Sequence, residues 1–172
     1  MNDQPALAGI NIRQSFPKHG SVAWLSVRPE RGQPVKVVDE VLATVENGLQ
    51  HDRFNGKPGA ERQVSLIQYE HLSTIAELLD RDEIDPALTR RNIAVQGISL
   101  TALKGCEFQI GEAIFLGTGA CAPCSKMERA LGHGGFNAMR GHGGIVATVL
   151  QAGKIRIGDS VKFLKIKERE QP

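Results

Sequence analysis

The stretch CEFQIGEAIFL, residues 106–116, decides the fold class. Cys106, Phe108 and Ile110 alternate with Glu107 and Gln109, the period of a strand with one face buried. Gly111 and Glu112 then offer a two-residue turn into a second apolar run, 113–116. This predicts a β-hairpin. GKIRIGDSVKF, residues 153–163, repeats the arrangement in short form, with Ile155, Ile157, Val161 and Phe163 on apolar positions around Gly158-Asp159. Working outward, further brief runs rich in Val and Ile occupy 21–27, 35–45, 63–67, 92–95 and 144–150. Nineteen glycines and eight prolines punctuate them. Many short strands with turn signals between them predict a barrel.

Two segments depart from this pattern. Over 69–79, Leu72, Ile75, Ala76 and Leu79 fall at i, i+3, i+4 and i+7, one stripe of an amphipathic helix whose role is core packing. Over 126–131 a second, shorter helix follows Ser125, which stands three residues before Glu128 in the relation of a capping box. The expected class is therefore α+β, mostly β, a barrel with short peripheral helices. A single domain over 1–172 is expected, its core at about 12–163, with a loose start over 1–9 and a frayed, charged tail over 165–172.

The composition narrows the function classes. Apolar residues at 41% and charged residues at 23% are those of an ordinary globular chain, which disfavours disorder and membrane spanning. A net charge of +2 is too small for a dedicated nucleic-acid surface, so any bound anion is expected to be met locally. Three cysteines, Cys106, Cys121 and Cys124, cannot form a fully paired secreted framework, and no apolar targeting segment precedes them; a reducing, cytoplasmic location is expected. Three thiols are one short of an all-cysteine iron–sulfur cluster, and neither G-x-G-x-x-G nor C-x-x-C-H occurs. Redox chemistry would need electrons from elsewhere.

The chemistry-bearing residues gather in a few places. Cys121 and Cys124 form C-A-P-C just ahead of the second helix, which puts Cys124 beside a helix N-terminus with Lys126 and Arg129 close by. Unpaired N–H groups and cationic neighbours favour thiolate over thiol, so Cys124 is a candidate nucleophile or metal ligand. Half of a zinc site, a thioredoxin-like redox pair and two inert thiols stay open on spacing alone. Cys106, on the apolar phase of its strand, reads as core. The glycine-rich stretch GHGGFNAMRGHGG, 132–144, lets backbone N–H groups approach a ligand, with His133, Arg140, His142 and Gly143 as candidates to meet an anion; a mobile surface loop is the alternative. Thr89-Arg90-Arg91-Asn92 places guanidinium groups and an amide at the start of a strand, suited to phosphate, although an ordinary surface cluster has the same look. GLQHDR, 48–53, follows a turn glycine with His51, Asp52 and Arg53, either a site or a salt-bridged loop.

In order, VRPERGQPVKVVDEV, GLQHDR, TRRNIAV, GEAIFLGTGACAPC and GGIVATVLQAGKIRIGDSV resemble the MOSC family, the domain found at the C-terminus of molybdenum cofactor sulfurases, in small bacterial proteins and in the mitochondrial amidoxime-reducing component. The resemblance runs from about residue 12 to 163 and implies a β-barrel that binds the molybdenum cofactor (molybdopterin) or carries sulfur for it. It implies that Cys124 ligates molybdenum or bears a persulfide. Arg90 and Asn92 match the family's cofactor-binding R-x-N element, and Asp52 matches the acid of its G-L-x-G-D-R element, with Arg53 beside it. The chain departs from that element at His51, where a glycine is usual. The pyridoxal phosphate-binding domain of the sulfurases has no room in 172 residues.

The expectation that follows is a molybdenum-dependent oxidoreductase reducing N-hydroxylated small molecules, with Cys124 as metal ligand, Asp52 catalytic, and Arg53, Arg90, Asn92, Lys126, Arg140, His142 and Gly143 holding the cofactor. Its partner would be an external electron-transfer reductase, with no nucleic acid and no membrane. The alternatives are a persulfide carrier served by a sulfur-donor protein, and a non-enzymatic cofactor-binding module.

Overall fold

The computed structural model describes Gly9 and residues 11–167. In chain order the strands are β1 (Gly20–Val27), β2 (Lys36–Val37), β3 (Glu40–Thr44), β4 (Gly48–Leu49), β5 (Val64–Gln68), β6 (Ile93–Gln96), β7 (Cys106–Ile110), β8 (Ala113–Ala120), β9 (Ile145–Gln151), β10 (Gly153–Arg156) and β11 (Ser160–Ile166). The helices are α1 (His71–Leu78), α2 (Ser125–Leu131) and α3 (Gly135–Met139). Seven strands close a mixed barrel in the order β11-β7-β8-β9-β5-β6-β1, with β1 pairing back onto β11. Only β5 and β6 run parallel, and α1 is their crossover. The fold is mostly β with short helices outside the barrel, as the residue pattern predicts.

The hairpin predicted at 106–116 forms as β7 and β8, with Ile110 opposite Ala113 and Phe108 opposite Phe115. Its turn needs Gly111: φ is +55° there, and a Cβ would lie 2.6 Å from the Lys154 carbonyl oxygen. The second predicted hairpin does not form. β10 pairs with β3, Ile155 opposite Val41, while β11 pairs with β7 and β1. The Gly158-Asp159 turn is real, but Gly158 N–H donates to the Val22 carbonyl and Asp159 caps Arg156 N–H, so the chain swings from one sheet to the other. Ile157, expected inward, is exposed. The run 35–45 is likewise two strands, β2 on β1 and β3 on β10. Lys165 and Ile166 of the expected frayed tail continue β11 against Glu107 and Cys106. Residues 168–172 lie outside the described residues, as do 1–8 of the expected loose start, in which Gly9 forms a turn.

Two apolar layers result from strand alternation. Leu66, Ile93 and Val95 point into the barrel, where Phe108 and Phe115 stack with centroids 5.7 Å apart. Ile67 and Ala94, one residue out of phase, face outward onto Leu72, Ile75 and Ala76 of α1 and Met127, Leu131, Ala138 and Met139 of α2 and α3. Burying each large side chain contributes about 1.5–3 kcal/mol, so both faces of β5 and β6 hold the fold. At one rim of the barrel the end of β1, the starts of β5, β6 and β9 and the end of β8 meet: Ser26 N–H donates to the Asn92 carbonyl, Asn92 N–H to Ser65 and Cys121 N–H to Gly144.

Candidate functional site

That rim carries the GLQHDR, TRRN and CAPC segments. Asp52 lies on the turn after β4, its side chain 1% exposed, and forms an ion pair with Arg28 at 2.9 Å. Its Oδ1 also accepts from Arg28 N–H at 2.6 Å and from Asn92 Nδ2 at 3.0 Å. Asn92 is fully buried; its Oδ1 accepts from the N–H and hydroxyl of Ser65, and its amide nitrogen also reaches the Ser26 carbonyl. Both side chains are thus committed to protein partners. His51 beside them adopts φ +66°, the left-handed region that favours glycine.

Arg90 also stands in a left-handed conformation, φ +57°, where the short 3-10 turn Pro86–Thr89 ends. Burial lowers the pKa of its guanidinium, the like charges of Arg53 and Arg28 lower it further, and the Cys124 thiol opposes them. Arg91, next in the chain, is buried and hydrogen-bonds the carbonyls of Gly143, Thr89 and Cys121. Burial also lowers its pKa, with Cys121 and Cys124 opposing and Arg28 and Arg62 adding to the fall. Arg28, Arg53 and Arg62 line a cleft of about 330 Å³ with Phe54, Asn55 and Gly56. Asp52 is the carboxylate paired with an arginine in this group.

Cys124 is exposed, whereas Cys121 and Cys106 are buried, and all three are free thiols. Burial pushes the Cys106 thiol up, in keeping with its place in the core. The predicted capping box does not form. Cys124 itself is the N-cap of α2, without a side-chain hydrogen bond, and Glu128 turns forward to accept from Gly134 N–H at 2.9 Å and Phe136 N–H at 2.8 Å. The tight Gly132–Gly134 connection brings the free N–H groups of α3 within reach, and two such donors hold the Glu128 carboxyl below its ordinary range. The glycine-rich stretch is accordingly a helix with buried Ala138 and Met139, where a ligand loop was expected. Gly135 permits the close contact, since a Cβ there would lie 2.7 Å from the Met127 carbonyl.

Other predicted contacts are placed less centrally. Lys126 is exposed in the first turn of α2. Arg140 is exposed at the end of α3 and makes no ion pair or side-chain hydrogen bond among the described residues. His142 packs edge-on against His71, centroids 4.9 Å apart. Gly143 serves through its backbone: a Cβ would meet the Cys121 carbonyl at 2.2 Å. Arg28, Arg62 and Arg91 were not among the predicted site residues. Arg28 follows a buried strand directly, and Arg91 sits between two predicted residues, the signals that could have found them.

Two clefts of about 640 Å³, one against residues 12–18 and the other beside Asp82–Pro86, and one of about 380 Å³ beside His51 are roomier, but none of the three is lined by a cluster of arginines. Chemistry, not volume, selects the arginine-lined rim. No three His, Cys, Asp or Glu side chains converge to hold a bare metal ion among the described residues. The rim suits a metal carried by an anionic organic cofactor: Arg28 pairs with Asp52, Arg53 and Arg62 pair with no carboxylate and Arg53 Nε is buried without a partner among the described residues, and an exposed thiol stands near Arg90. No helix among the described residues is long and apolar enough to cross a membrane.

Among solved structures, YuaD from Bacillus subtilis superposes with a TM-score of 0.74 at 22% identity, over 87% of this chain and 98% of that one. YiiM from Geobacillus stearothermophilus gives 0.70 at 18% identity, over 85% and 75%. YiiM from Escherichia coli gives 0.67 at 21%, over 91% and 73%. These likenesses concern the fold. No curated protein sequence matches significantly. The sequence profile of the MOSC domain matches residues 51–162, which contain Asp52, the R-x-N element and Cys124, and the chain belongs to the MOSC domain family, whose members commonly bind the molybdenum cofactor.

Proposed function

We propose that this chain binds the molybdenum cofactor at the arginine-lined rim and uses it to reduce N-hydroxylated small molecules with electrons from an external reductase. The observation that carries this reading is the exposed Cys124 thiol at the N-cap of α2, beside a group of arginines that holds one paired carboxylate. Cys124 is the soft donor to the metal, and a single thiolate leaves positions open for substrate. Arg90 and Arg53 meet the cofactor phosphate, Arg53 through the Nε that has no protein partner among the described residues. Lys126, Arg140, His142 and the backbone at Gly143 are the outer candidates. Asp52 and Asn92 act by holding Arg28 and the start of β6 in place, since their polar atoms are already engaged. When bound, the cofactor supplies a metal that cycles between oxidation states.

Protein purified without oxygen should contain molybdenum and pterin in about equal amounts, and Cys124→Ser should lose the molybdenum. Arg90→Ala should weaken cofactor binding by about 1.5–3 kcal/mol, the worth of one charge-assisted contact, while the fold is retained. Turnover with a chemical reductant separates an enzyme from a cofactor-carrying module. The exposure of Cys124 also suits a persulfide carrier that meets a donor protein, in a reducing compartment such as the cytoplasm. Cyanide-labile sulfur on Cys124 in molybdenum-free protein would establish that role instead.

A further inference from the structure

Arg91 is 6% exposed, and every hydrogen bond of its guanidinium goes to a backbone carbonyl: Nε to Gly143 at 2.8 Å, one terminal nitrogen to Thr89 at 2.9 Å, the other to Cys121 at 3.1 Å. No carboxylate pairs with it among the described residues. A buried cation normally takes an anionic partner, so a guanidinium spent on neutral carbonyls is an unusual use of charge. Its planar fork can join three segments distant in the chain: the turn before β6, the connection into β9 and the start of the C-A-P-C turn. The backbone is shaped around it. Gly143 has no side chain, and a Cβ there would lie 2.2 Å from the Cys121 carbonyl and 3.3 Å from the Arg91 guanidinium.

We propose that Arg91 is the positioning residue of the thiol pair: by clamping the Cys121 carbonyl it keeps Cys121 buried and presents Cys124 at the N-cap of α2 beside Arg90. Two cysteines three residues apart then have separate tasks because of one side chain that touches neither the metal nor the substrate. The role assigned to Cys124 rests on the cofactor-binding reading, but the clamp does not.

Labelling of cofactor-free protein with iodoacetamide at neutral pH, mapped by peptide, tests the clamp. In the wild type Cys124 should react at least about tenfold faster than Cys121, whose exposure requires local opening. Arg91→Lys keeps the charge and loses the fork, so it should raise the Cys121 rate about tenfold or more. Val64→Ala, a cavity in the barrel core, lowers overall stability and should leave the ratio of the two rates unchanged. A ratio kept within twofold in Arg91→Lys, or one that collapses equally in Val64→Ala, overturns the proposal. Should Arg91→Lys not fold, the wild type decides: by NMR, Arg91 Nε–H exchange and Cys121 labelling should show the same protection to within about threefold, because one opening governs both. Protections differing by more than tenfold overturn it. Failure of the cofactor reading would show separately, as wild-type protein purified without oxygen that contains neither molybdenum nor pterin.

Discussion

Asn92 donates through Nδ2 to Oδ1 of Asp52 at 3.0 Å and so joins two turns that lie 40 residues apart in the chain. The same oxygen accepts from Arg28 N–H and Nε, and Oδ2 accepts from the other end of that guanidinium. One carboxylate thus ties the end of β1, the turn after β4 and the start of β6 into a single rim. A carboxylate in this position has its oxygens engaged by protein donors and organises the rim.

Asp52→Asn should therefore destabilise the protein by about 2–3 kcal/mol, less than a fully buried pair because Arg28 keeps some solvent contact. Urea unfolding measures it. An unchanged midpoint would remove Asp52 from the framework and return it to the list of free reactive groups.

The left-handed backbone at His51 costs about 1 kcal/mol for a residue with a Cβ. His51→Gly removes that strain and gives back part of the gain through a freer unfolded chain, for a net rise of about 0.5 kcal/mol. His51→Val should lower stability by at least as much. A thermal scan that ranks valine above glycine would contradict the assignment.

Gly144→Ala should prevent normal folding. A Cβ there would sit 1.8 Å from the Leu66 carbonyl oxygen, and φ is +84°. Backbone meets backbone, so no side chain can yield, and a loss above about 3 kcal/mol is expected. Soluble, wild-type-like protein would show that β5 and β9 can separate at this point.

His71 gives a pH dependence of definite sign. Burial first, then the neighbouring His142, holds its pKa below the ordinary 6.5, with Glu70 opposing. The unfolded chain therefore takes up a proton where the folded one does not, and stability falls as pH drops below about 6.5 toward the folded value. Above that it is fully present. Urea midpoints at pH 7.5 and pH 5.5 should differ less in His71→Gln than in the wild type. Equal differences in the two proteins would show that His71 contributes nothing to the slope.

Iodoacetamide should reach Cys124 in the folded protein and leave Cys106 untouched until the barrel opens, since Cys106 is buried and its thiol pushed up by that burial. Peptide mapping over a urea series checks this. Early labelling of Cys106 would mean that β7 and β11 part below the global transition.

Local period determined much of this protein. The alternation over 106–116 is enough to specify a hairpin, and the four-residue stripe around Ile75 is enough to place a helix on the outer layer, because each pattern states which face must leave water. The same alternation puts Cys106 in the core, and the helix expected just after C-A-P-C forms, with Cys124 itself as the N-cap where Ser125 was expected. Pairing across the chain lay beyond it. Ile155 is apolar and alternating whether it faces Val161 or Val41, and only closure of the barrel, which draws β11 between β7 and β1, sends β10 to β3. Glu128 satisfied a capping rule locally yet found two better donors in the next helix. Arg28 and Arg91 stand beside recognisable elements of the sequence, but what each guanidinium does is set by partners 24 and 52 residues away. Residue order determines which surfaces must be buried; which of the competing burials and hydrogen bonds coexist is decided only when the barrel closes and every buried donor must find its acceptor.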